Sequence, residues 1–141
     1  MTGNTATSMF QEGDRLKGFK REVTSERISA YADASGDHNP LHLDPVYART
    51  TQFGGVIAHG MLSMAFVSEL MAANFPGSWH SGGKIKLRFK APVFPGETVE
   101  VTGEVQSIKD TAHGREATCS VACIKPDGTE ALSGTVNVRL Q

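Results

Sequence analysis

Residues 61–74, which read MLSMAFVSELMAAN, decide how this chain folds. Their apolar side chains recur at helical spacing, but they cover most of the helix circumference rather than one stripe. A helix that is apolar nearly all round is expected to be buried. The stretch therefore predicts a central helix that the rest of the chain encloses.

The second half of the chain predicts the layer that encloses this helix. Residues 84–90 alternate strictly, with Ile85, Leu87 and Phe89 on one face, which is the pattern of a half-buried strand. Three further strands are expected, separated by turns that contain proline or glycine. Four strands in succession favour an antiparallel meander with one buried face. The three further strands cover residues 99–105, 115–125 and 132–140.

Shorter elements are expected in the first half. Uneven alternation over residues 14–23 predicts a first strand, and Thr24 is a suitable N-cap for a helix over residues 25–34. Asp44 precedes a proline, which favours a short helix over residues 45–49. The fold class is therefore α+β, with a curved antiparallel sheet wrapped around a long central helix.

Composition narrows the classes of function. The chain has 141 residues and a formal net charge of -1, so we expect one domain over residues 1–141, with residues 1–8 disordered, and no nucleic-acid partner. Because neither a secretory signal nor a membrane-spanning run is visible, we expect a soluble, cytoplasmic protein without a membrane partner. Cys119 and Cys123 are expected to be buried free thiols.

A row of basic side chains follows one face of the 84–90 strand. Such a row could attract phosphates, but the next strand in the chain carries Glu100 and Glu104 on its own polar face. Cross-strand charge pairing between the two strands is therefore the favoured interpretation. The row consists of Lys84, Lys86, Arg88 and Lys90.

Catalytic chemistry is predicted in residues 36–42, GDHNPLH. Asp37 and His42 form the kind of pair that moves protons near neutral pH, because imidazole titrates there and a carboxylate can orient it or share the work. Pro40 predicts a bent, non-helical loop that turns both side chains toward one point, where a water could be held. Asn39 could brace this bend. A turn-capping role for the same polar residues is the structural alternative.

A second candidate feature is the start of the central helix at His59-Gly60. A helix N-terminus presents unpaired N–H groups, and glycine allows a ligand to approach the backbone closely. This end could hold a carbonyl oxygen that becomes negative during a reaction. The alternatives are a simple helix-entry turn for Gly60 and a hydrogen-bonded core residue for His59.

Metal and cofactor sites are not expected. His38, His42, Asp37 and Asp44 are crowded together, but their spacing spans a proline bend and matches no known zinc pattern. Phosphate-binding glycine loops and dinucleotide fingerprints are also missing from the sequence.

The residues now described resemble the signature of the MaoC-like (R)-specific enoyl-CoA hydratases. The resemblance covers most of the chain, in order and with the spacing of the family, and its Gly-Asp-x-Asn-Pro-Leu-His core is highly specific. It is carried by residues 31–44 (YADASGDHNPLHLD), 57–62 (IAHGML) and 89–97 (FKAPVFPGE).

The resemblance implies a hot-dog fold, assembled as a homodimer or higher homo-oligomer, and an acyl-CoA or acyl-carrier-protein thioester as substrate. Such enzymes add water reversibly and syn across a trans-2-enoyl-CoA to give the (R)-3-hydroxyacyl-CoA. By position, Asp37 and His42 would activate the water and Asn39 would support them. The Gly60 N–H, beside His59, would hold the thioester oxygen. Ser68 and Met71, where an acyl tail could run, are candidate specificity residues, with core packing as the alternative.

Three other functions remain open from the sequence. A 3-hydroxyacyl-carrier-protein dehydratase would use the same chemistry on an acyl group attached to a carrier protein instead of CoA. A hot-dog acyl-thioester hydrolase would share the fold but does not require the Asn-Pro-Leu-His pairing. A non-catalytic subunit of a heterodimer would have no need of Asp37 and His42.

Overall fold

A computed structural model describes residues 10–140, and within them a five-stranded antiparallel sheet of order β1-β3-β4-β5-β2 holds one long helix, α4. This confirms the predicted α+β class and the hot-dog arrangement. The elements are β1 (Phe19–Glu22), α1 (Ser25–Ser35), α2 (Pro40–Leu43), α3 (Pro45–Arg49), α4 (Gly60–Asn74), α5 (Ser78–Gly82), β2 (Gly83–Phe89), β3 (Thr98–Thr111), β4 (Gly114–Ile124) and β5 (Glu130–Arg139).

The predicted meander is wrong in one connection. Strands β3, β4 and β5 follow one another as expected, but β2 pairs with β5, in a register that sets Ile85 opposite Val136. The chain between β2 and β3 crosses from one edge of the sheet to the strand next to the opposite edge. Alternation of side chains identifies the buried face of a strand but contains no information about its neighbour.

Helix α4 packs against β3 and β4. Phe66, Val67 and Leu70 are buried in the same core cluster as the inward side chains of the sheet. The prediction that α4 is enclosed on all sides needs correction, because Met61 and Ala65 are exposed along one face. The sheet covers one side of the helix and leaves an apolar strip on the other.

The short elements of the first half follow their capping residues. Helix α1 begins after Thr24, whose side chain accepts the Arg27 N–H at 3.1 Å, and it ends at Gly36, whose φ of 81° is a left-handed cap. Helix α3 begins after Asp44, whose carboxylate accepts the Val46 N–H. The predicted first strand is shorter than expected, since β1 covers only Phe19–Glu22.

Both cysteines lie in the core, as predicted, and neither forms a disulfide. Burial raises the pKa of Cys119 to about 11 and that of Cys123 to about 12. Residues 1–8, predicted to be disordered, lie outside the described residues, and a single domain over 1–141 stays a prediction. Among residues 10–140, the structure contains no helix long and apolar enough to cross a bilayer.

Candidate active site

Asp37 lies at the exit of α1. The left-handed Gly36 turns the chain there, so that the Asp37 N–H donates to Ser35 Oγ at 3.2 Å. The Asp37 carboxylate accepts the Asn39 N–H at 3.2 Å and is otherwise exposed. Two local hydrogen bonds thus hold the carboxylate at the surface of the fold, where a ligand can reach it.

The loop predicted around Pro40 is a helical turn. Pro40 is the first residue of α2, and Asn39 is its N-cap, with the Asn39 side chain accepting the Leu41 N–H at 2.9 Å. Proline is well suited to this first position, since its missing N–H would be unpaired there anyway. Asn39 therefore braces the turn that holds His42, and its own N–H holds Asp37.

His42, on α2, is oriented by a backbone carbonyl. The His42 Nδ1 and the Ile57 oxygen are 2.7 Å apart. A carbonyl oxygen only accepts, so Nδ1 carries the proton and donates it. The Nε2 of the neutral ring is then an acceptor with a free lone pair, as a general base requires.

His59 lies beneath the two candidate catalytic residues, with 2% of its surface exposed. Its Nε2–H donates to the Asp37 carbonyl oxygen at 2.9 Å. Its ring stacks on that of His42 at 3.9 Å between centroids, and the centroid of the Tyr31 ring lies 4.9 Å away. The structure therefore places His59 where it supports Asp37 and His42 rather than where it faces a ligand.

Asp37, His42 and His59 are the three groups that come together. One ligand-type atom of each lies within 4.8 Å of the others, which is also the arrangement that could hold a metal ion. His38, a metal candidate in the sequence, instead bonds Asp33 at 3.0 Å, and that hydrogen bond raises the pKa of His38. The prediction that no metal or cofactor is needed stays a prediction.

A cavity of about 380 Å³ opens beside Gly60, the first residue of α4. Its lining is mainly apolar and includes Phe53, Ser63 and Phe89. Within the described residues, the Gly60 N–H donates to no other group. A Cβ at Gly60 would lie 3.0 Å from the Phe89 ring, so glycine keeps this helix end open to a ligand.

Ser68 and Met71 lie further along α4, at about 12 and 16 Å from Gly60 by the rise of the helix. The Ser68 hydroxyl accepts the Trp79 Nε1–H at 3.0 Å. Met71 is fully buried in the core cluster. The structure does not bring these two residues to Asp37 and His42, and their role in specificity stays a prediction.

Two contributors to the site were missed from the sequence. The Ile57 carbonyl orients His42, and no side-chain pattern could have indicated a backbone group. Ser63 lines the cavity although it is 4% exposed. A serine in the apolar first turns of the helix was the available signal for that position.

Known proteins of similar sequence are hydratases and dehydratases. The chain is 37% identical to the (R)-specific enoyl-CoA hydratase of Aeromonas caviae, over 93% of this chain and 96% of that protein. It is 36% identical to a mitochondrial 3-hydroxyacyl-[acyl-carrier-protein] dehydratase of Arabidopsis thaliana, over 84% and 69%. The solved (R)-hydratase of A. caviae superposes with a TM-score of 0.82 at 32% identity, covering 94% and 98%.

The hot-dog fold, the meeting of Asp37 with His42, and the similarity to hydratases and dehydratases together define the chain as a hydro-lyase. Residues 10–125 match the family described as MaoC like domain. The chain belongs to that family.

Proposed function

We propose that this protein is an (R)-specific enoyl-CoA hydratase, which adds water reversibly and syn to a trans-2-enoyl-CoA to give the (R)-3-hydroxyacyl-CoA. The observation that carries the proposal is the meeting of the Asp37 carboxylate and the His42 ring within 4.8 Å. Relatives named as enoyl-CoA hydratases support the same reaction.

The catalytic pair holds one water. The Asp37 carboxylate and His42 Nε2 are both acceptors, so a water between them can donate one hydrogen to each. No direct hydrogen bond joins the two side chains within residues 10–140, and one ligand-type atom of each lies within 4.8 Å of the other, a separation that a single bridging water can span. Asn39 and Ile57 hold the pair in position through their backbone groups.

Water addition then proceeds on one face of the alkene. The pair takes a proton from the water as the water oxygen bonds to the β-carbon. The C=C electron pair then forms a double bond to the carbonyl carbon, and the C=O pair moves onto the thioester oxygen to give an enolate. The Gly60 N–H at the start of α4 stabilises this enolate oxygen. Return of the proton to the α-carbon from the same side regenerates the Asp37–His42 pair and gives a single enantiomer of the product.

The acyl thioester enters beside Gly60. The cavity lined by Phe53 and Phe89 suits the chain next to the thioester, because its walls are mainly apolar. Relatives are named for both CoA and carrier-protein substrates, and a carrier-protein dehydratase would use the same residues. A hydrolase does not require the Asp37–His42 arrangement, and a silent subunit would have no need of it.

We further propose a homodimer, or a higher homo-oligomer, in the cytoplasm. Met61 and Phe89 expose 52% and 53% of their surface beside the start of α4, and large exposed apolar side chains favour an interface. The unpaired thiols of Cys119 and Cys123 fit a reducing compartment.

The test is turnover of crotonyl-CoA, followed by loss of the conjugated thioester absorbance and by chiral analysis of the product. Asp37→Asn and His42→Ala should each lower kcat by about a hundredfold or more while thermal unfolding stays unchanged, because general acid–base help is worth on the order of 10²–10⁴.

The chain offers a matched control in its other Asp–His pair. Asp33 and His38 are also five residues apart and bond each other at 3.0 Å, but on the exposed surface. Asp33→Asn and His38→Ala should leave turnover within about twofold of wild type, because both side chains are exposed and neither belongs to the cluster of Asp37, His42 and His59. Near wild-type turnover in both Asp37→Asn and His42→Ala would contradict the mechanism.

A further inference from the structure

The basic row on β2 lacks the acidic partners that were predicted for it. Because β2 pairs with β5, Glu100 and Glu104 on β3 lie three strands away, which is about 14 Å at the usual spacing of strands. The predicted cross-strand pairing is therefore wrong. Opposite Lys84, Lys86 and Arg88, strand β5 presents the uncharged residues Asn137, Thr135 and Ser133, respectively.

The glutamates of β3 lie near other basic residues. Lys20 on β1 is the register partner of Glu100, and Arg15 pairs with Glu104 through an isolated backbone bridge. Neither glutamate lies beside the basic row of β2.

One member of the row is neutralised and three are not. Lys90 Nζ bonds Glu130 at 2.8 Å. Among residues 10–140, no carboxylate forms an ion pair with Lys84, Lys86 or Arg88. Their side chains are exposed and follow one another over about 13 Å along the strand. Three exposed cations without an ion-pair partner, in a protein of net charge -1, form a positive surface that can attract an anionic ligand.

The row is continuous with the candidate active site. Lys86, Arg88 and Lys90 line a groove of about 430 Å³ together with Ser133 and Thr135. Lys90 also lines the cavity beside Gly60. If the acyl end of a thioester occupies the cavity, the rest of the thioester molecule would pass Lys90 and enter this groove. The groove offers cations and hydroxyl donors, which are the groups that bind phosphate.

We propose that Lys84, Lys86 and Arg88 bind the phosphates of the 3′-phospho-ADP portion of a CoA thioester. The proposal rests on the proposed hydratase function, and it selects CoA rather than a carrier protein as the group to which the acyl chain is attached. The groove of about 430 Å³ offers cations together with the hydroxyls of Ser133 and Thr135, and these groups match the phosphates of CoA. Because the phosphates are far from the bonds that change, the row contributes to KM and not to kcat.

The test compares two thioesters of the same acyl group, crotonyl-CoA and crotonyl-pantetheine, which lacks the phosphates. In the triple variant Lys84→Gln, Lys86→Gln, Arg88→Gln, we expect KM for crotonyl-CoA to rise about tenfold with kcat unchanged, the scale of three exposed ion pairs. Activity with crotonyl-pantetheine should not change. Added salt should raise KM for crotonyl-CoA in the wild type more than in the variant.

A control triple removes the same charge elsewhere. Lys20→Gln, Arg27→Gln, Lys109→Gln alters three exposed cations away from the groove and should leave KM for crotonyl-CoA near the wild-type value. Circular dichroism checks that both triple variants fold. If the row triple does not fold, the single variant Lys86→Gln replaces it, and we expect a smaller rise in KM.

Three outcomes would overturn the proposal. In the first, the row variant loses activity equally with crotonyl-CoA and crotonyl-pantetheine. In the second, the control triple raises KM for crotonyl-CoA as much as the row variant does, and in the third, the wild type turns over only a carrier-protein thioester and the row variant abolishes that activity. If the wild type hydrates neither crotonyl thioester nor a carrier-protein form, the hydratase function itself fails, which is a different result.

Discussion

His59 shows how one buried side chain can act on two others. Its Nε2–H fixes the Asp37 carbonyl at 2.9 Å, and its ring stacks on His42. Its Nδ1 is buried without a hydrogen-bond partner in the described part of the chain. The hydrogen bond to Asp37 and the ring contact with His42 are therefore the two interactions through which His59 can position both residues.

We predict that His59→Phe lowers kcat about ten- to a hundredfold with little change in KM. Phenylalanine keeps a ring against His42 but releases the Asp37 backbone, and small displacements of catalytic groups have effects of this size. His59→Gln can still donate to the Asp37 carbonyl and should recover part of the loss. Steady-state kinetics and a pH–rate profile measure both variants. Equal activity in the phenylalanine and glutamine variants would mean that the hydrogen bond has no positioning role.

At the scale of elements, α4 has two different sides. Met71 is fully buried against the sheet, whereas Met61 on the same helix is 52% exposed. The apolar side chains of the sheet contact one half of the helix only, so the apolar residues of the other half remain available for contacts outside the described chain.

We predict that Met71→Ala lowers the free energy of unfolding by about 2–5 kcal/mol, because it removes a core side chain and leaves a cavity. Met61→Ala is the matched control and should cost much less. Denaturant unfolding gives both values. Similar losses in the two variants would contradict the burial of α4 described above. Turnover of 2-octenoyl-CoA relative to crotonyl-CoA in Met71→Ala tests separately whether an acyl tail reaches Met71.

At the scale of the whole molecule, the exposed apolar strip near the candidate site requires an explanation. Met61 and Ala65 on α4 and Phe89 on β2 form this strip. Phe89 also lines the cavity beside Gly60. A second copy that covers the strip would therefore shield the substrate from water and complete the wall of the cavity.

We predict that Met61→Asp weakens self-association, because a buried unpaired carboxylate at an interface is costly. Sedimentation or light scattering over a concentration series should show a shift from dimer toward monomer. Val46→Asp, which changes another exposed apolar side chain on α3, is the control and should leave the mass unchanged. An unchanged mass in Met61→Asp would remove Met61 from the interface.

The sequence by itself determined the longer elements and the candidate catalytic residues, but not the short helices α2 and α5. Periodicity identified the central helix and the inward face of each strand, and the caps Thr24, Gly36 and Asp44 marked helix ends, because these signals depend on neighbouring residues. The Asp37–His42 pair was visible because the two residues lie close in the chain and match a specific family signature.

Only the tertiary structure decided which strands are neighbours and what surrounds the candidate site. The pairing of β2 with β5 removed the expected partners of the basic row, and the contacts of His42 with Ile57 and of Asp37 with His59 join residues that are 15 and 22 positions apart. Strand order and such backbone contacts depend on how the chain crosses the sheet and packs its core, and side-chain patterns along the sequence do not record these long-range choices.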